Sequence, residues 1–272
     1  MRPCINGATT MPYSLQEDIV FGHKAKFEGI EIWYEKLKKF FSEGNTPVKL
    51  QELLWGAELD PAALCGFPLI AFSDNEQAIQ ELVKAAQIAP QIDCDTLLVF
   101  PGDVQPAGVS KPEAIKKAAG ALQIYAEAIK PYKVKIAFEP IGMHPYVPGP
   151  QEAMEIINIA GSNNLGIMMD TFHYYKSGVS LDDIRAIPVE KLFIVHINDC
   201  ENLPLEQLTD KHRLYTGLGV IPLVDELKIL KEKGYKGFLS VEIFRDEYWK
   251  ESPEKIMLDA KKNLDAVLAK LG

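Results

Sequence analysis

Four side chains that can bind a metal ion interrupt or end apolar runs of the sequence. Glu139 and Asp170 end the runs KIAFE and GIMMD, and His196 and Glu242 lie within FIVHIND and FLSVEIF. Carboxylates are almost never fully buried unless they are paired or bound to a cation. Three carboxylates with one imidazole suit Mn²⁺, Mg²⁺, Co²⁺ or Zn²⁺. The pattern therefore predicts one divalent metal site; the alternative is four unrelated polar residues, each satisfied by its own loop.

Other polar residues that could belong to the site lie between Asp170 and Glu242 in the sequence. His173 stands three residues after Asp170, and Asp210 and His212 form an Asp-x-His pattern in the segment 200–216. We predict a hydrogen bond from His173 to the substrate rather than a structural role. For Asp210 and His212 three roles stay open: a second metal site, a substrate contact or bracing of the loop.

Two further features bear on a pocket. Trp33 follows the second apolar run, and we predict that it walls the pocket, with core packing as the alternative. The GLG at 217–219 precedes a helical pattern, where barrels often bind phosphate, although a pair of turn glycines explains it more simply. The segment 200–216 is the longest connection, and loops of this length tend to be lids or site walls.

Short apolar runs alternate with amphipathic stretches eight times along the chain. Several of the runs, such as TLLVF and LFIVHI, are continuously apolar, as strands buried on both faces should be. Together they predict eight strands, at 4–6, 29–33, 63–66, 96–100, 135–139, 166–170, 193–198 and 238–243. The clearest helical patterns lie at 76–88, 112–129, 151–159, 222–233 and 253–271.

Eight β/α units in 272 residues favour an α/β fold of the (β/α)8 TIM barrel type. An open doubly wound sheet is the alternative. No linker or low-complexity segment divides the chain, so we predict a single domain spanning 1–272. The metal-binding residues then come from strands five to eight, whose carboxyl ends meet at one mouth of the barrel.

Composition and charge exclude several classes of protein. The net charge is −9, the opposite of what phosphate neutralisation requires, and this argues against a nucleic-acid partner. No apolar run approaches the roughly 18 residues of a membrane span, and the start MRPCINGATT lacks the apolar core of a signal peptide. We therefore predict no membrane association. The four cysteines are widely spaced and form no CxxC pair, which predicts a reduced, cytoplasmic protein.

With these residues identified, the chain resembles the xylose isomerase-like barrel superfamily of sugar isomerases and epimerases. Within it, the sequence is most similar to the inosose isomerases of myo-inositol catabolism. The likeness extends over nearly the whole chain, and its most specific segments are FIVHINDCENLP, LTDKHRLYTGLG and SVEIFRDEYWK. CINGATT, VKIAFEP and MMDTFH add to it, whereas GIEIW is weak evidence.

The resemblance implies a function and roles for particular residues. The metal would be held by the residues matching Glu139, Asp170, His196 and Glu242. His173 and Arg213 would line the site of a small sugar or inosose substrate. We expect an isomerase or epimerase of a keto-polyol, an inosose or a free ketose, that abstracts a proton beside the carbonyl. Glu139 and Glu242 would act as catalytic acid and base, and one divalent ion, Mn²⁺ before Zn²⁺, Co²⁺ or Mg²⁺, would stabilise the enediolate.

Two positions depart from the pattern of the inosose isomerases. Gly7 stands where an acidic residue is expected, and His212 also stands where the pattern has an acid. Both departures concern the substrate rather than the fold. The sequence does not specify the oligomeric state, and a homo-oligomer is compatible with it.

The same superfamily contains a zinc-dependent endonuclease that acts at abasic sites in DNA. That enzyme carries additional histidines on strands three and four, which complete a cluster of three metal ions. The corresponding strands here end in CGFP and VFPGD, with Phe67 and Phe100 and no histidine nearby. Two more functions are compatible with these residues: a dehydratase that expels hydroxide from the same enediolate, and a catalytically silent sugar-binding barrel.

Because these histidines are missing, we predict that the protein lacks endonuclease activity at abasic sites. Purified, metal-loaded protein should not incise a duplex that contains one abasic site, because a cluster of three metal ions cannot assemble and the net charge of −9 repels DNA. Gel electrophoresis of an end-labelled duplex measures this directly. Incision at a rate comparable with turnover of a sugar would contradict it.

Overall fold

Eight parallel strands hydrogen-bond in a closed ring in the computed structural model, which describes all 272 residues. Around the ring the order is β1, β8, β7, β6, β5, β4, β3 and β2, so that the first strand closes against the last. The barrel strands are β1 Arg2–Asn6, β2 Gly29–Trp33, β3 Asp60–Leu69, β4 Thr96–Pro101, β5 Lys135–Phe138, β6 Leu165–Asp170, β7 Leu192–Ile197 and β8 Phe238–Val241. The predicted TIM barrel is confirmed, and the open sheet is excluded.

Ten helices lie between and after these strands. They are α1 Leu15–Lys24, α2 Tyr34–Ser42, α3 Pro47–Gly56, α4 Glu76–Ile88, α5 Lys111–Ile129, α6 Pro150–Ala160, α7 Thr171–Lys176, α8 Leu181–Ala186, α9 Leu223–Glu232 and α10 Pro253–Leu268. Prolines occupy the first turn of α5 and of α10, where a missing N–H costs no hydrogen bond. None of the helices combines the length and apolar character that a membrane crossing would require.

The core has two layers because each strand is buried on both faces. A large apolar layer lies between the strands and the helices, and a small one fills the inside of the barrel. Small and unbranched side chains dominate the inner layer, since eight strands leave little space at the axis. Its members are Cys4, Ala62, Ala63, Cys65, Leu98, Ala137, Met168 and Ile194.

The structure corrects some predicted boundaries. Strand β3 is longer than the predicted 63–66, and its register to β4 shifts between Cys65 and Phe67. Gly66 lies at this irregularity with a φ of 110°, a conformation that favours glycine. Glu139 and Glu242 lie just beyond β5 and β8 rather than inside them, where their side chains reach the mouth of the barrel.

Glu226 is a buried carboxyl group on α9 that the metal site does not include. It is 4% exposed, and its Oε2 atom has no hydrogen-bond partner. Burial, with smaller effects from Asp170 and Asp199, raises the pKa of Glu226 to about 8. A carboxyl group whose folded-state pKa is raised stabilises the fold below its unfolded pKa, and this contribution is lost as the pH rises through 8.

We therefore expect Glu226→Gln to stabilise the protein in a pH-dependent way. The gain should be near zero at pH 5 and about 1–3 kcal/mol at pH 9, because glutamine never has to carry a buried charge. Urea unfolding at pH 5, 7 and 9 measures it, with the exposed Glu190→Gln as control. A gain that is the same at all three pH values would contradict the assignment.

Candidate metal centre and substrate cavity

The four predicted ligands converge at the carboxyl ends of four neighbouring strands. Each offers one ligand atom, and these atoms lie within 4.8 Å of one another. All four residues are buried. The order of the strands explains the convergence, since β5, β6, β7 and β8 are successive neighbours in the barrel. The residues are Glu139 after β5, Asp170 at the end of β6, His196 in β7 and Glu242 after β8.

The Nδ1 atom of His196 faces the carboxylates of the three acidic candidate ligands. Nδ1 lies 3.1 Å from Oε2 of Glu242, 3.6 Å from Oδ2 of Asp170 and 4.0 Å from Oε1 of Glu139. The atom is buried and makes no hydrogen bond. A buried, unpaired ring nitrogen costs free energy unless something binds it. A divalent cation would satisfy this nitrogen and the three carboxylates together, so the residues fit a metal ion.

The charges at the site point the same way. Burial raises the pKa of Glu139 well above its ordinary value and also raises the pKa of Glu242. Burial alone would lower the pKa of His196, but the carboxylates of Glu242 and Glu31 outweigh it and raise that pKa well above normal. These shifts mean that the crowded, buried acids and the imidazole retain protons when no cation is near, and a divalent cation can take the place of those protons.

Asp170 is held by hydrogen bonds on one side and by an arginine on the other. Its Oδ1 accepts the backbone N–H groups of Phe172 at 2.8 Å and His173 at 3.2 Å, which cap the start of α7. Its Oδ2 accepts a bond from Nη1 of Arg213 at 2.7 Å. Burial acts to raise the pKa of Asp170, but Arg213 and His173 hold it well below its ordinary value. Asp170 thus stays ionised, with Oδ2 facing the metal site.

Arg213 connects the long loop to the metal site. Its side chain is 1% exposed, and Nη2 lies 2.9 Å from Asp210 and 3.2 Å from Nε2 of His173. Nη1 lies 3.3 Å from Oε2 of Glu242. Burial lowers the pKa of His173 to about 4, so the ring is neutral near pH 7. The predicted partners His173 and Arg213 therefore lie together beside the four ligands.

A cavity of about 730 Å³ opens above the ligands. Glu139, His173, Arg213 and Glu242 line its polar side. Aromatic residues line the other side, and the rings of Trp33 and Phe244 meet edge to face at 5.9 Å. The aromatic residues are Trp33, Phe100, Phe244 and Trp249. A groove of equal volume at the opposite end of the barrel is lined by lysines and loop residues and contains no histidine.

The position of Gly7 explains how Trp33 reaches the cavity wall. A Cβ atom at Gly7 would lie 3.2 Å from Cβ and 3.3 Å from the backbone nitrogen of Trp33. Both distances are tighter than most Cβ contacts. The glycine that departs from the pattern of the inosose isomerases therefore gives Trp33 its space.

The structure shows contacts that bear on the three roles left open for Asp210 and His212. His212 accepts the backbone N–H of Thr209 at its Nδ1 atom, 3.0 Å away, and so caps its own short helical turn. Asp210 pairs with Arg213 and lines the cavity, where a substrate contact is also within its reach. The group of four candidate ligands includes neither residue. These contacts brace the loop 200–216, and Arg245 holds the same loop through Glu201 at 2.7 Å.

Internal groups already accept two of the backbone N–H donors of the GLG segment. The carboxylate of Asp199 accepts the N–H of Gly219 at 2.8 Å, and the carbonyl of Tyr215 accepts that of Leu218. Asp199 also accepts the neighbouring N–H groups of Ile221 and Cys200 at 2.9 Å. A phosphate at this turn would compete with these bonds. The contacts favour the turn interpretation of GLG.

Sequence reasoning missed two residues of the site. Glu31 in β2 is fully buried and lies 2.8 Å from Nε2 of His196. Asn6 at the end of β1 donates to Oε1 of Glu242 at 3.2 Å. The signal for Glu31 was an acid between two isoleucines in GIEIW, although nothing in that motif identifies its partner across the barrel.

Comparison with known proteins agrees with this fold. Residues 21–267 match the model of the xylose isomerase-like TIM barrel family. The chain belongs to this family, whose members are β/α barrels of the kind described above.

Two individual proteins are similar to this chain over nearly their whole length, and a third is similar over part of its length. The chain is 33% identical to an inosose isomerase of Halalkalibacterium halodurans, over 99% of this chain and 97% of that protein. The 1.8 Å crystal structure of the IOLI protein with a binding zinc atom superposes with a TM-score of 0.92 at 29% identity, over 100% of this chain and 99% of that one. A 3-dehydroshikimate dehydratase of Pseudomonas aeruginosa is 29% identical over 88% of this chain but only 37% of its own length.

We predict that the His196→Ala variant binds the metal ion much more weakly. This change removes the only nitrogen ligand and leaves buried carboxylates facing one another, which is strongly unfavourable. Metal content and activity should fall together, and affinity should drop by more than the about 10–100-fold typical of losing an outer partner of a ligand. Metal analysis after dialysis measures the loss.

His144→Ala is the matched control, because His144 lies outside the metal group and makes no hydrogen bond through Nδ1. It should keep the metal. Full metal occupancy in the His196→Ala protein would contradict the assignment of His196 as a ligand.

Proposed function

We propose that this protein is a divalent-metal-dependent isomerase or epimerase of a keto-polyol, either an inosose or a free ketose. That the chain is an enzyme of the sugar isomerase and epimerase class rests on its full-length similarity to inosose isomerases. The observation that carries the metal dependence is the unpaired Nδ1 of His196 among three buried carboxylates. Cysteine usage supports a cytoplasmic location.

Glu139, Asp170, His196 and Glu242 would hold the ion. When bound, the ion would polarise the substrate carbonyl and offset the negative charge that develops on its oxygen atoms. We propose Mn²⁺ first, because carboxylate-rich sites suit it, with Zn²⁺, Co²⁺ and Mg²⁺ as alternatives.

The two glutamates differ in how firmly the protein holds them. Oε1 of Glu242 accepts a hydrogen bond from the side-chain amide of Asn6 at 3.2 Å, and Oε2 accepts one from Nη1 of Arg213 at 3.3 Å. Glu139 makes no such bond; its nearest basic group is Nε2 of His173 at 3.7 Å. Burial raises the pKa of both carboxyl groups above that of a free glutamate, which makes each a stronger base. We propose that Glu139 and Glu242 remove and return the proton beside the carbonyl, with Glu139 the freer of the two.

The remaining cavity residues would hold the substrate. Arg213 and the neutral ring of His173 lie on the polar side and can hydrogen-bond to hydroxyl and carbonyl oxygens. Trp33 lies on the aromatic side and can cover the C–H groups of a sugar or cyclitol. We propose an unphosphorylated substrate, because the N–H of Gly219 is bonded to Asp199 and no GLG residue lines the cavity.

A dehydratase is the second candidate, because most of the chain is similar to part of a 3-dehydroshikimate dehydratase. It would begin with the same proton abstraction and then expel a hydroxide. A nuclease and a silent sugar-binding barrel are less well supported. Assays on inososes, ketohexoses and abasic DNA, with product analysis for loss of water, separate the four.

Turnover in D₂O tests the two-glutamate mechanism. If a glutamate removes the proton and solvent exchanges with it, the product should carry deuterium at the carbon beside the carbonyl. Glu242→Gln keeps the size and an oxygen ligand but removes the base, so turnover should fall by about 10²–10⁴ while metal stays bound. Mass spectrometry and proton NMR of the product measure the label.

A hydride shift makes the opposite forecast, because hydrogen would then pass directly between two carbons. Product free of deuterium after many turnovers would rule out the glutamate pair and leave the metal site intact. With two separate acids, one of the two Glu→Gln variants should still exchange the substrate proton without forming product.

A further inference from the structure

Glu31 is a fully buried carboxylate with no part in the proposed chemistry. It lies in β2 and points into the barrel beneath the metal site. Its two oxygens lie 2.8 and 3.0 Å from Nε2 of His196. The hydroxyl of Ser240 donates to Oε2 at 2.7 Å. Two side chains from opposite parts of the chain thus hold it in place.

The register of the barrel brings these groups to adjoining levels. Asn6 of β1 pairs with Glu31 of β2, and Ser240 of β8 pairs with His196 of β7 and with Cys4 of β1, two residues before Asn6. Since β8 and β2 both pair with β1, the four side chains enclose adjoining sections of the barrel interior. Glu31 on β2 therefore faces His196 on β7 across the interior, which fixes the distance between them.

The hydrogen bond decides which nitrogen of His196 carries its proton. With two carboxylate oxygens at Nε2, a proton is most stable on that nitrogen, so Nδ1 is the nitrogen that gives up its proton when a cation binds. Nδ1 is the atom directed at the three carboxylate ligands. A carboxylate on the far nitrogen also fixes the ring orientation and makes the imidazole a stronger donor to a metal ion.

We propose that Glu31 is a positioning residue for the metal centre: it fixes the tautomer and the orientation of His196 and thereby sets the affinity for the divalent ion. This inference rests on the proposed metal site. Ser240 supports Glu31 and is expected to act in the same direction, more weakly.

Two variants of Glu31 separate its functions. Glu31→Met keeps much of the volume but removes the acceptor, and apolar replacements of buried charged groups are often tolerated. Glu31→Gln keeps an acceptor for the Nε2 proton and loses only the charge. Glu226→Gln is the matched control, because it alters a buried glutamate outside the site that is largely uncharged at pH 7.

The affinity of the metal-free proteins for Zn²⁺ and Mn²⁺ is measured by competition with a coloured chelator. We expect Glu31→Met to bind about 10–100-fold more weakly than the unchanged protein and Glu31→Gln about 3–10-fold more weakly. Glu226→Gln should bind normally. If Glu31→Met fails to fold, the Glu31→Gln measurement carries the test.

Long-range ¹H–¹⁵N NMR spectra of the histidine rings, recorded with Zn²⁺ bound, give a readout that a purely structural role would not move. The unchanged protein should show Nδ1 of His196 on the metal and a hydrogen-bonded proton on Nε2, and Glu31→Met should lose the signal of that hydrogen-bonded proton. Affinity in both Glu31 variants equal to that of Glu226→Gln would overturn the role of Glu31 and leave the metal site standing. Failure of the unchanged protein to bind either ion would overturn both.

Discussion

Negative charge confined at the mouth of the barrel is the constraint on which the site depends. Glu139, Asp170 and Glu242 are buried within a few ångströms of one another, with Glu31 behind them. Such carboxylates repel each other, and water is too scarce there to screen them. Arg213 offsets part of this charge, and a cation would complete the arrangement. On this account, the free energy of burying these acids is the source of the affinity that the proposed site would have for a metal ion.

The rest of the fold serves to keep those charges close together. The parallel barrel brings the ends of β5 to β8 to one mouth, and α7 holds Asp170 through its first N–H groups. The loop 200–216 contributes Arg213 and is itself fixed by the turn at Thr209 and His212 and by Arg245. Because the arginine is bound on several sides, the loop holds a positive charge at a fixed place beside the candidate metal site.

The sequence predicts the barrel and its four ligands because both leave local signals. Buried parallel strands are apolar runs, and an acid such as Asp170 at the end of GIMMD stands out against them. Local signals do not show which residues meet across a closed barrel. Glu31 and His196 are 165 positions apart on strands that are not neighbours, so only the closure of β1 on β8 reveals their contact. The same holds for Asn6 and Glu242, and the role of His212 depended on a turn that its spacing alone did not define.

The central claim is that one divalent ion is held by three carboxylates and the Nδ1 atom of a single imidazole. Crystals of the protein grown with Mn²⁺, with diffraction recorded on both sides of the manganese absorption edge, test it most directly. We expect one strong anomalous peak within bonding distance of Glu139, Asp170, Nδ1 of His196 and Glu242. A peak bound through Nε2 of His196, a peak elsewhere in the cavity, or no peak at saturating Mn²⁺ would contradict it.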